Sequence, residues 1–162
     1  MKPTVLSVIA LFAVLSFSCS TDTVDDAEID TIIHTYVPPT KVIEIEIAEL
    51  INAYRIEQGL STLGNMDVIK AQAFGHTDYM IENDEVSHAN FHARRANLVN
   101  AVGATSVGEN VAYAYSSAEA VVNAWINSEG HRNVIEGNYD YFDISAEKDA
   151  DGKWYYTNIF LR

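Results

Sequence analysis

The chain has 162 residues, which is enough for one domain with a real hydrophobic core. Its formal net charge of −13 argues against binding to nucleic acid and against adhesion to anionic lipid head groups. It contains a single cysteine, so it forms no intrachain disulfide and an exported fold must rely on core packing.

The N-terminal residues have the pattern of an export signal. Met1 and Lys2 supply a short basic start, and residues 5–17 are apolar apart from two serines, a stretch too short to span a membrane. The sole cysteine, Cys19, follows this stretch as in a bacterial lipoprotein signal, which the segment resembles. We therefore expect residues 1–18 to be removed and Cys19 to be lipidated, which would attach the protein to a membrane through acyl chains. An ordinary signal peptide with an incidental cysteine is the alternative.

Residues 19–41 are predicted to form an acidic tether. Their charges repel one another and are followed by the stiff pair Pro38-Pro39, which suits a segment that holds a domain off a surface. A disordered solubilising tail predicts nearly the same composition. The domain itself is expected over residues 42–162.

Apolar spacing predicts two helices at the start of this domain. Ile47, Leu50, Ile51 and Tyr54 follow the i, i+3, i+4, i+7 pattern, and Gly59 is a suitable helix stop. A second helix is predicted after Asn65, with one stripe formed by Ile69, Ala73, His76 and Met80.

The second half of the domain mixes strands with one further helix. Residues 107–113 are β-prone and predict a strand. Ser116 and Glu119 form a capping-box pair before a helix whose apolar stripe includes Trp125. A hairpin is predicted from Tyr141–Glu147 and Lys153–Leu161, around residues 149–152. This order lacks the regular alternation of a parallel sheet and predicts a layered α+β domain.

Four polar residues near the predicted turns are candidates for a site: His88, Glu109, Glu129 and His131. Two imidazoles with one or two carboxylates can bind a divalent ion such as zinc, or they can form a charged hydrogen-bond network in a cleft. Spacing alone does not decide between these, because no pair has a compact metal-binding spacing.

Glu129 and His131 can reach one cavity only if the helix breaks at about residues 128–130. Residues i and i+2 of an uninterrupted helix do not face each other. Gly130 accepts the left-handed conformation that ends helices, so we expect a break at residues 128–130.

The other histidines are weaker candidates. His76 lies on an apolar stripe and is interpreted as a hydrogen-bonded core histidine. His92 is expected at the surface, and His34 falls in the tether.

Taken together, these segments resemble the CAP superfamily (cysteine-rich secretory proteins, antigen 5 and pathogenesis-related 1), in particular its compact, cysteine-free bacterial branch. The resemblance extends from about Ile47 to Phe160 and ends in an aromatic hairpin. Each motif is weak alone, but together, in the family's order, they make the assignment strong. The motifs are Asn52-x-x-Arg55-x-x-x-Gly59-Leu60-x-x-Leu63, Ala73-x-x-His76-x-x-x-Met80, Ser87-His88, Phe91-x-x-Arg94, Gly108-Glu109-Asn110-Val111-Ala112 and Trp125-x-x-Ser128-x-Gly130-His131-Arg132-x-x-Ile135.

The resemblance implies a three-layer α-β-α sandwich with a central, mostly antiparallel sheet and a surface cleft. In this family the cleft commonly holds two His and two Glu, which bind zinc or another divalent ion in some members. His88, Glu109 and His131 correspond to three of these residues. The position of the second Glu is Ser128 in this chain, so Glu129 is either recruited to the cleft or is an exposed carboxylate at a helix end.

Three functions remain open from the sequence. The first is a non-enzymatic, monomeric binding module of the bacterial cell envelope, lipid-anchored or secreted, which takes a small lipidic ligand or a surface protein. The second is a metal-dependent hydrolase in which His88, Glu109 and His131 hold the ion and Glu129 is the general base. The third is a structural or host-interaction protein in which the polar cluster only stabilises the fold.

Overall fold

The structure is a computed structural model, and it describes residues 36–162. The expectations for the signal peptide, for Cys19 and for His34 fall on residues 1–35, outside the described part. The described chain forms five helices and three strands. In order they are α1 (Val42–Glu57), α2 (Asp67–Glu82), α3 (Phe91–Val102), β1 (Val107–Tyr113), α4 (Ala118–Asn127), α5 (Glu129–Ile135), β2 (Tyr141–Lys148) and β3 (Trp154–Leu161).

The three strands form one antiparallel sheet in the order β1-β3-β2. Ile159 of the central strand is paired with Glu109 of β1 on one side and with Asp143 of β2 on the other. The predicted hairpin is confirmed. Gly152 has a φ of 78° in its turn, a conformation that glycine adopts without steric cost.

One face of the sheet packs against α1, α4 and α5. Ile47 of α1 and Trp125 of α4 are buried against Tyr156 and Phe160 of β3. The indole Nε1 of Trp125 also donates a hydrogen bond to the carbonyl of Val111 at 3.1 Å, so the apolar stripe of α4 is tied to the sheet. The helical spacing predicted for α1 and α4 is confirmed, because their periodic apolar residues form this core.

The opposite face of the sheet is covered by α2 and α3. Ile69 and Ala73 of α2 and Leu98 of α3 form a second core with Ile159 and Leu161 of β3. Successive residues of a strand point to opposite faces, so β3 contributes to both cores. The protein is therefore an α+β domain with three layers in the order α-β-α, as the resemblance implied.

The free edge of β2 is closed by side chains. Glu44 of α1 accepts a hydrogen bond from the backbone N–H of Ala146 at 2.8 Å. Lys70 of α2 donates to the carbonyl of Ile144 at 2.5 Å and forms an ion pair with Glu44 at 2.6 Å. These buried charges satisfy backbone groups that an open edge strand would leave available for pairing.

The residues just before α1 also lie against the domain. Pro38 is buried, and the ring of Tyr36 lies 5.4 Å from that of Phe74 in an edge-on arrangement. The backbone N–H of Lys41 donates to Glu44 at 2.7 Å at the start of α1. None of the helices in residues 36–162 is long and apolar enough to cross a membrane.

Two helix ends differ from expectation. The N-cap of α4 is Ser117, whose Oγ accepts from the N–H of Ala120 at 3.2 Å, so the predicted cap at Ser116 is wrong by one residue. The chain breaks between α4 and α5 at Ser128, which has an extended backbone with φ −96° and ψ 116°. Gly130 lies inside α5 and is not the helix stop. By contrast, Gly59 does follow the end of α1, with a φ of 74°.

Helix α3 was not predicted from the sequence. Its buried residues are Arg94 and Leu98, so it has almost no apolar stripe from which a helical period could be recognised.

Candidate functional site

The site forms around β1, the edge strand opposite β2. Glu109 and Asn110 are consecutive in this strand and serve opposite faces of the sheet. Glu109 contacts residues from the α2–α3 side, whereas the amide of Asn110 donates to the carbonyl of His131 in α5 at 3.0 Å. The edge of β1 therefore lies between the two groups of candidate residues.

Glu109 is a buried carboxylate with three basic neighbours. Arg94 of α3 binds both of its oxygens, with Nε to Oε2 and a terminal nitrogen to Oε1 each at 2.8 Å. His88 donates from Nδ1 to Oε1 at 2.8 Å, and Nε2 of His76 lies 3.9 Å from the same oxygen. An ionised carboxylate can only accept, and these three hydrogen bonds fill most of the acceptor sites of Glu109.

The pKa of Glu109 reflects this balance. Burial raises it, but the hydrogen bonds from His88 and Arg94 and the positive charge of Arg94 outweigh burial and hold the pKa below its ordinary value. Glu109 is therefore an anion at neutral pH and a weaker base than an ordinary glutamate.

His88 lies in the loop between α2 and α3, two residues before Asn90, which has a φ of 59°. Its side chain is 52% exposed, although Nδ1 is held by Glu109. Because Nδ1 carries the proton in that bond, Nε2 has a free lone pair, and it makes no hydrogen bond with the described residues. The imidazole is thus oriented by a carboxylate and open to solvent.

His131 is held in a similar way in the first turn of α5. Its Nδ1 lies 2.9 Å from the hydroxyl of Ser128, and Asn110 binds its backbone carbonyl. Burial lowers the pKa of His131, and repulsion from His88 in its protonated form lowers it further, so the neutral imidazole is favoured. Its Nε2 makes no hydrogen bond within residues 36–162.

Glu129 does not join this group. It is exposed at the first position of α5 and forms no hydrogen bond or ion pair with another described side chain. The helix break that sequence analysis expected does exist, but it orients His131 rather than Glu129. Within the described residues, no three His, Cys, Asp or Glu side chains are grouped closely enough to hold one metal ion.

Sequence analysis did not assign two residues that contact Glu109, His76 and Arg94, to the site. His76 is a buried, hydrogen-bonded core histidine, as predicted, and its Nε2 contacts the carbonyl of Ser87 at 2.7 Å. Its place beside Glu109 was not foreseen. Arg94 had been noted only as part of the Phe91-x-x-Arg94 motif, and that motif is the signal that could have identified it.

Known sequences match this chain over most of its length. A model of the "Cysteine-rich secretory protein family" (CAP) matches residues 48–160. The uncharacterized membrane protein YlbC of Bacillus subtilis strain 168 is 34% identical over 122 residues, which are 74% of this chain and 34% of YlbC. The protein YkwD of the same organism is 30% identical over 105 residues, 62% of this chain and 41% of YkwD. The chain thus spans between about a third and two fifths of these curated relatives.

Solved structures match as well. An extracellular protein of Bacillus anthracis that contains an SCP domain superposes with a TM-score of 0.63 at 26% identity, over 77% of this chain and 45% of that one. An outer surface protein of Borrelia burgdorferi superposes with a TM-score of 0.69 over 79% of this chain and 98% of that one. At 20% identity this second likeness shows the fold alone.

Proposed function

We propose that this chain, which belongs to the cysteine-rich secretory protein (CAP) family, is an exported binding module that takes its ligand at the edge of β1 through His88 and His131. The ligand is a small lipidic molecule or a group on a surface protein, held directly or through a divalent ion such as zinc. One observation carries the proposal. Both imidazoles have Nδ1 fixed by a protein group and leave Nε2 free.

If a divalent ion is bound, His88 and His131 are the residues that would hold it. A histidine that binds zinc through one nitrogen usually donates its other N–H to a carboxylate or another acceptor, and Glu109 stands in that position behind His88. Glu109 itself has both oxygens engaged by Arg94, so it orients a ligand instead of being one. An ion bound by two imidazoles keeps open positions, where it would polarise an oxygen group of the bound molecule.

A zinc titration of the purified chain tests this site. His88→Ala and His131→Ala should each lower zinc affinity at least tenfold, as loss of a metal ligand requires. His92→Ala is the matched control, because His92 is exposed on α3 outside the site, and it should bind zinc like the parent protein. Equal affinity of all four proteins would refute a metal site at His88 and His131.

The lipidic ligand needs a separate test. Purified protein would be incubated with a lipid extract, repurified and analysed by mass spectrometry, beside the His88→Ala and His92→Ala variants. A species retained by the parent and by His92→Ala, and lost from His88→Ala, is the expected result. Protein that retains nothing after exposure to extracts of several compositions would contradict a lipidic ligand.

Export and lipid attachment are supported by the N-terminal signal pattern and by the relatives, one named a membrane protein and another extracellular. Cys19→Ser should move the protein from the detergent-rich to the aqueous phase in a detergent partition of whole cells. A parent protein already in the aqueous phase would mean that Cys19 carries no lipid.

A structural role is the second candidate, and the ion pairs of Glu109 favour it. They join α3, the His88 loop and β1, so removing Glu109 would loosen three segments together. Glu109→Gln separates the two roles. A purely structural cluster predicts lower stability with unchanged zinc and lipid binding, whereas the binding module predicts that zinc affinity falls about 10–100-fold with the loss of the oriented His88.

A hydrolase receives less support from the same geometry. Such a reaction needs a carboxylate that is free to take a proton. Glu109 is held ionised by Arg94 and His88, and Glu129 is exposed at the start of α5.

A further inference from the structure

A second concave surface runs along α1 and shares no residue with the site around β1. We name it the α1 groove. It is walled by the face of α1 that carries Ile45, Glu49 and Ile56, by Val37 before this helix, and by Asp67 and Asp143 across from it. Its volume is about 640 Å³, which is within the range of ligand sites.

The walls of the α1 groove combine polar side chains with apolar ones, and three of the apolar side chains face solvent. Ile45 is 47% exposed, Ile56 is 60% exposed and Val37 is 39% exposed. Ile45 and Ile56 stand eleven residues apart on one helix, so the groove extends about 17 Å along it.

The α1 groove is also negatively charged. Lys70 lines it, but its ammonium is already bound to Glu44 at 2.6 Å and to the carbonyl of Ile144 at 2.5 Å. Glu49, Asp67 and Asp143 line the same groove and form no ion pair with a described residue. Asp143 is the most buried of the three, whereas Glu49 and Asp67 are exposed and carry the negative charge that a ligand would meet.

We propose that the α1 groove binds an extended segment of a partner protein in which apolar residues are interspersed with lysine or arginine. The apolar side chains would cover Ile45 and Ile56, and the cations would pair with Glu49 and Asp67. Pairing as an added strand is excluded at Ile144 and Ala146 of β2, where Lys70 and Glu44 already occupy the outward backbone groups. The segment therefore contacts side chains of α1.

Charge decides against the two occupants that this chain itself could supply. A second copy carries a net charge of −13, and its groove is negative like the one it would meet. The chain's own residues 20–35 contain five acidic residues and no lysine or arginine, so they would add negative charge to a negative groove.

Fluorescence polarisation with a labelled peptide tests the α1 groove. The probe is a short peptide of leucine, lysine and serine, and its counterpart has glutamate in place of each lysine. The lysine peptide should bind and the glutamate peptide should not. Glu49→Lys and Asp67→Lys should each weaken binding at least tenfold, and Ile56→Ser should do so without a change of charge.

Glu57→Lys is the matched control for overall charge. Glu57 is exposed on the same helix but lies outside the groove, so its replacement changes the net charge equally and should alter the affinity less than twofold. An equal loss with Glu57→Lys and Glu49→Lys would overturn the proposal, because the attraction would then be to the whole acidic surface. Failure of the lysine peptide to bind would overturn it as well.

Two further experiments would identify a second copy or the chain's own N-terminal segment as the occupant of the α1 groove. A dimer in sedimentation velocity that Ile45→Ser converts to a monomer would assign the groove to a second copy. A rise in peptide affinity on joint replacement of Ile29, Ile32 and Ile33 by serine would assign it to the chain's own N-terminal segment. Either result would overturn a basic partner. Zinc binding at His88 and His131 should be unchanged in every groove variant, so failure here leaves the proposed function intact.

Discussion

The guanidinium of Arg94 donates two hydrogen bonds of 2.8 Å each to the carboxylate of Glu109, and both side chains are buried. This bidentate pair joins α3 to the edge strand β1. His88 donates a hydrogen bond to the same carboxylate. The pair therefore sets both the position of a helix and the orientation of an exposed imidazole.

Arg94→Ala should strongly destabilise the domain. It leaves the anion of Glu109 buried without its main partner, a change that costs about 3–5 kcal/mol. Urea denaturation measures the loss in the free energy of unfolding. Arg95→Ala is the control, since Arg95 is the exposed neighbour on the same helix and its removal should cost less than about 0.5 kcal/mol. Similar losses for the two variants would show that the Arg94–Glu109 pair adds no stability.

Stability should fall in two stages as the pH falls. Burial lowers the pKa values of His76 and His131 below their ordinary 6.5, so the unfolded chain binds these protons first and stability is lost as the pH falls from about 6.5 through the lower folded pKa values. The lowered pKa of Glu109 gives a second loss, which begins near its ordinary 4.5 and continues through its folded pKa.

Urea midpoints measured from pH 8 to pH 3 check both stages. His76→Gln keeps a donor for the carbonyl of Ser87 and should shrink the first stage while leaving the second. A variant with the full first-stage loss would show that His76 is not its source.

Gly108→Ala should destabilise the domain by about 1–3 kcal/mol through overpacking. A Cβ at Gly108 would collide with the hydroxyl of Tyr139 and lie 3.0 Å from Cγ1 of Val134 in α5. Gly130→Ala is the contrasting variant, because Gly130 is helical and nothing lies within 4 Å of its added Cβ. It should raise stability by up to about 1 kcal/mol. Thermal or urea unfolding that shows a loss for Gly130→Ala would mean that this glycine has a conformational role after all.

Glu129→Pro should be tolerated. Glu129 is the first residue of α5, where proline is favoured, and Ser128 before it already has the extended backbone that a following proline requires. We expect a gain of about 0.4–1 kcal/mol in the free energy of unfolding and unchanged zinc affinity. Asn123→Pro, inside α4, should cost about 3 kcal/mol or more in the same assay. Loss of zinc or ligand binding in Glu129→Pro would place Glu129 in the site.

Periodic apolar residues made most of the fold predictable. Trp125 and Ile47 mark the buried faces of α4 and α1, and the turn residues 149–152 between two β-prone segments marked the final hairpin. Helix α3 was not predicted because its buried face presents Arg94, and arginine in a sequence ordinarily indicates an exposed position. Its burial follows from a partner on β1 that is distant in sequence, so no local pattern reveals it.

The break between α4 and α5 shows a different limit of prediction from sequence. Glycine was expected to end α4 because a left-handed residue is a common helix stop. The chain instead breaks at Ser128 in an extended conformation that any residue adopts, so residue type gives no signal there. The motifs grouped His88 with Glu109 without revealing that the carboxylate holds the ring through Nδ1.

The sheet order β1-β3-β2 has a consequence for the way in which the chain acquires its structure. Within residues 36–162, the two outer strands form their ladders with β3, and β3 follows both of them in the sequence. Neither core can close until Trp154–Leu161 is present, since that strand contributes side chains to both. Contacts of this long sequence separation slow folding. A chain emerging from its N-terminus thus remains without this sheet until Trp154–Leu161 has emerged.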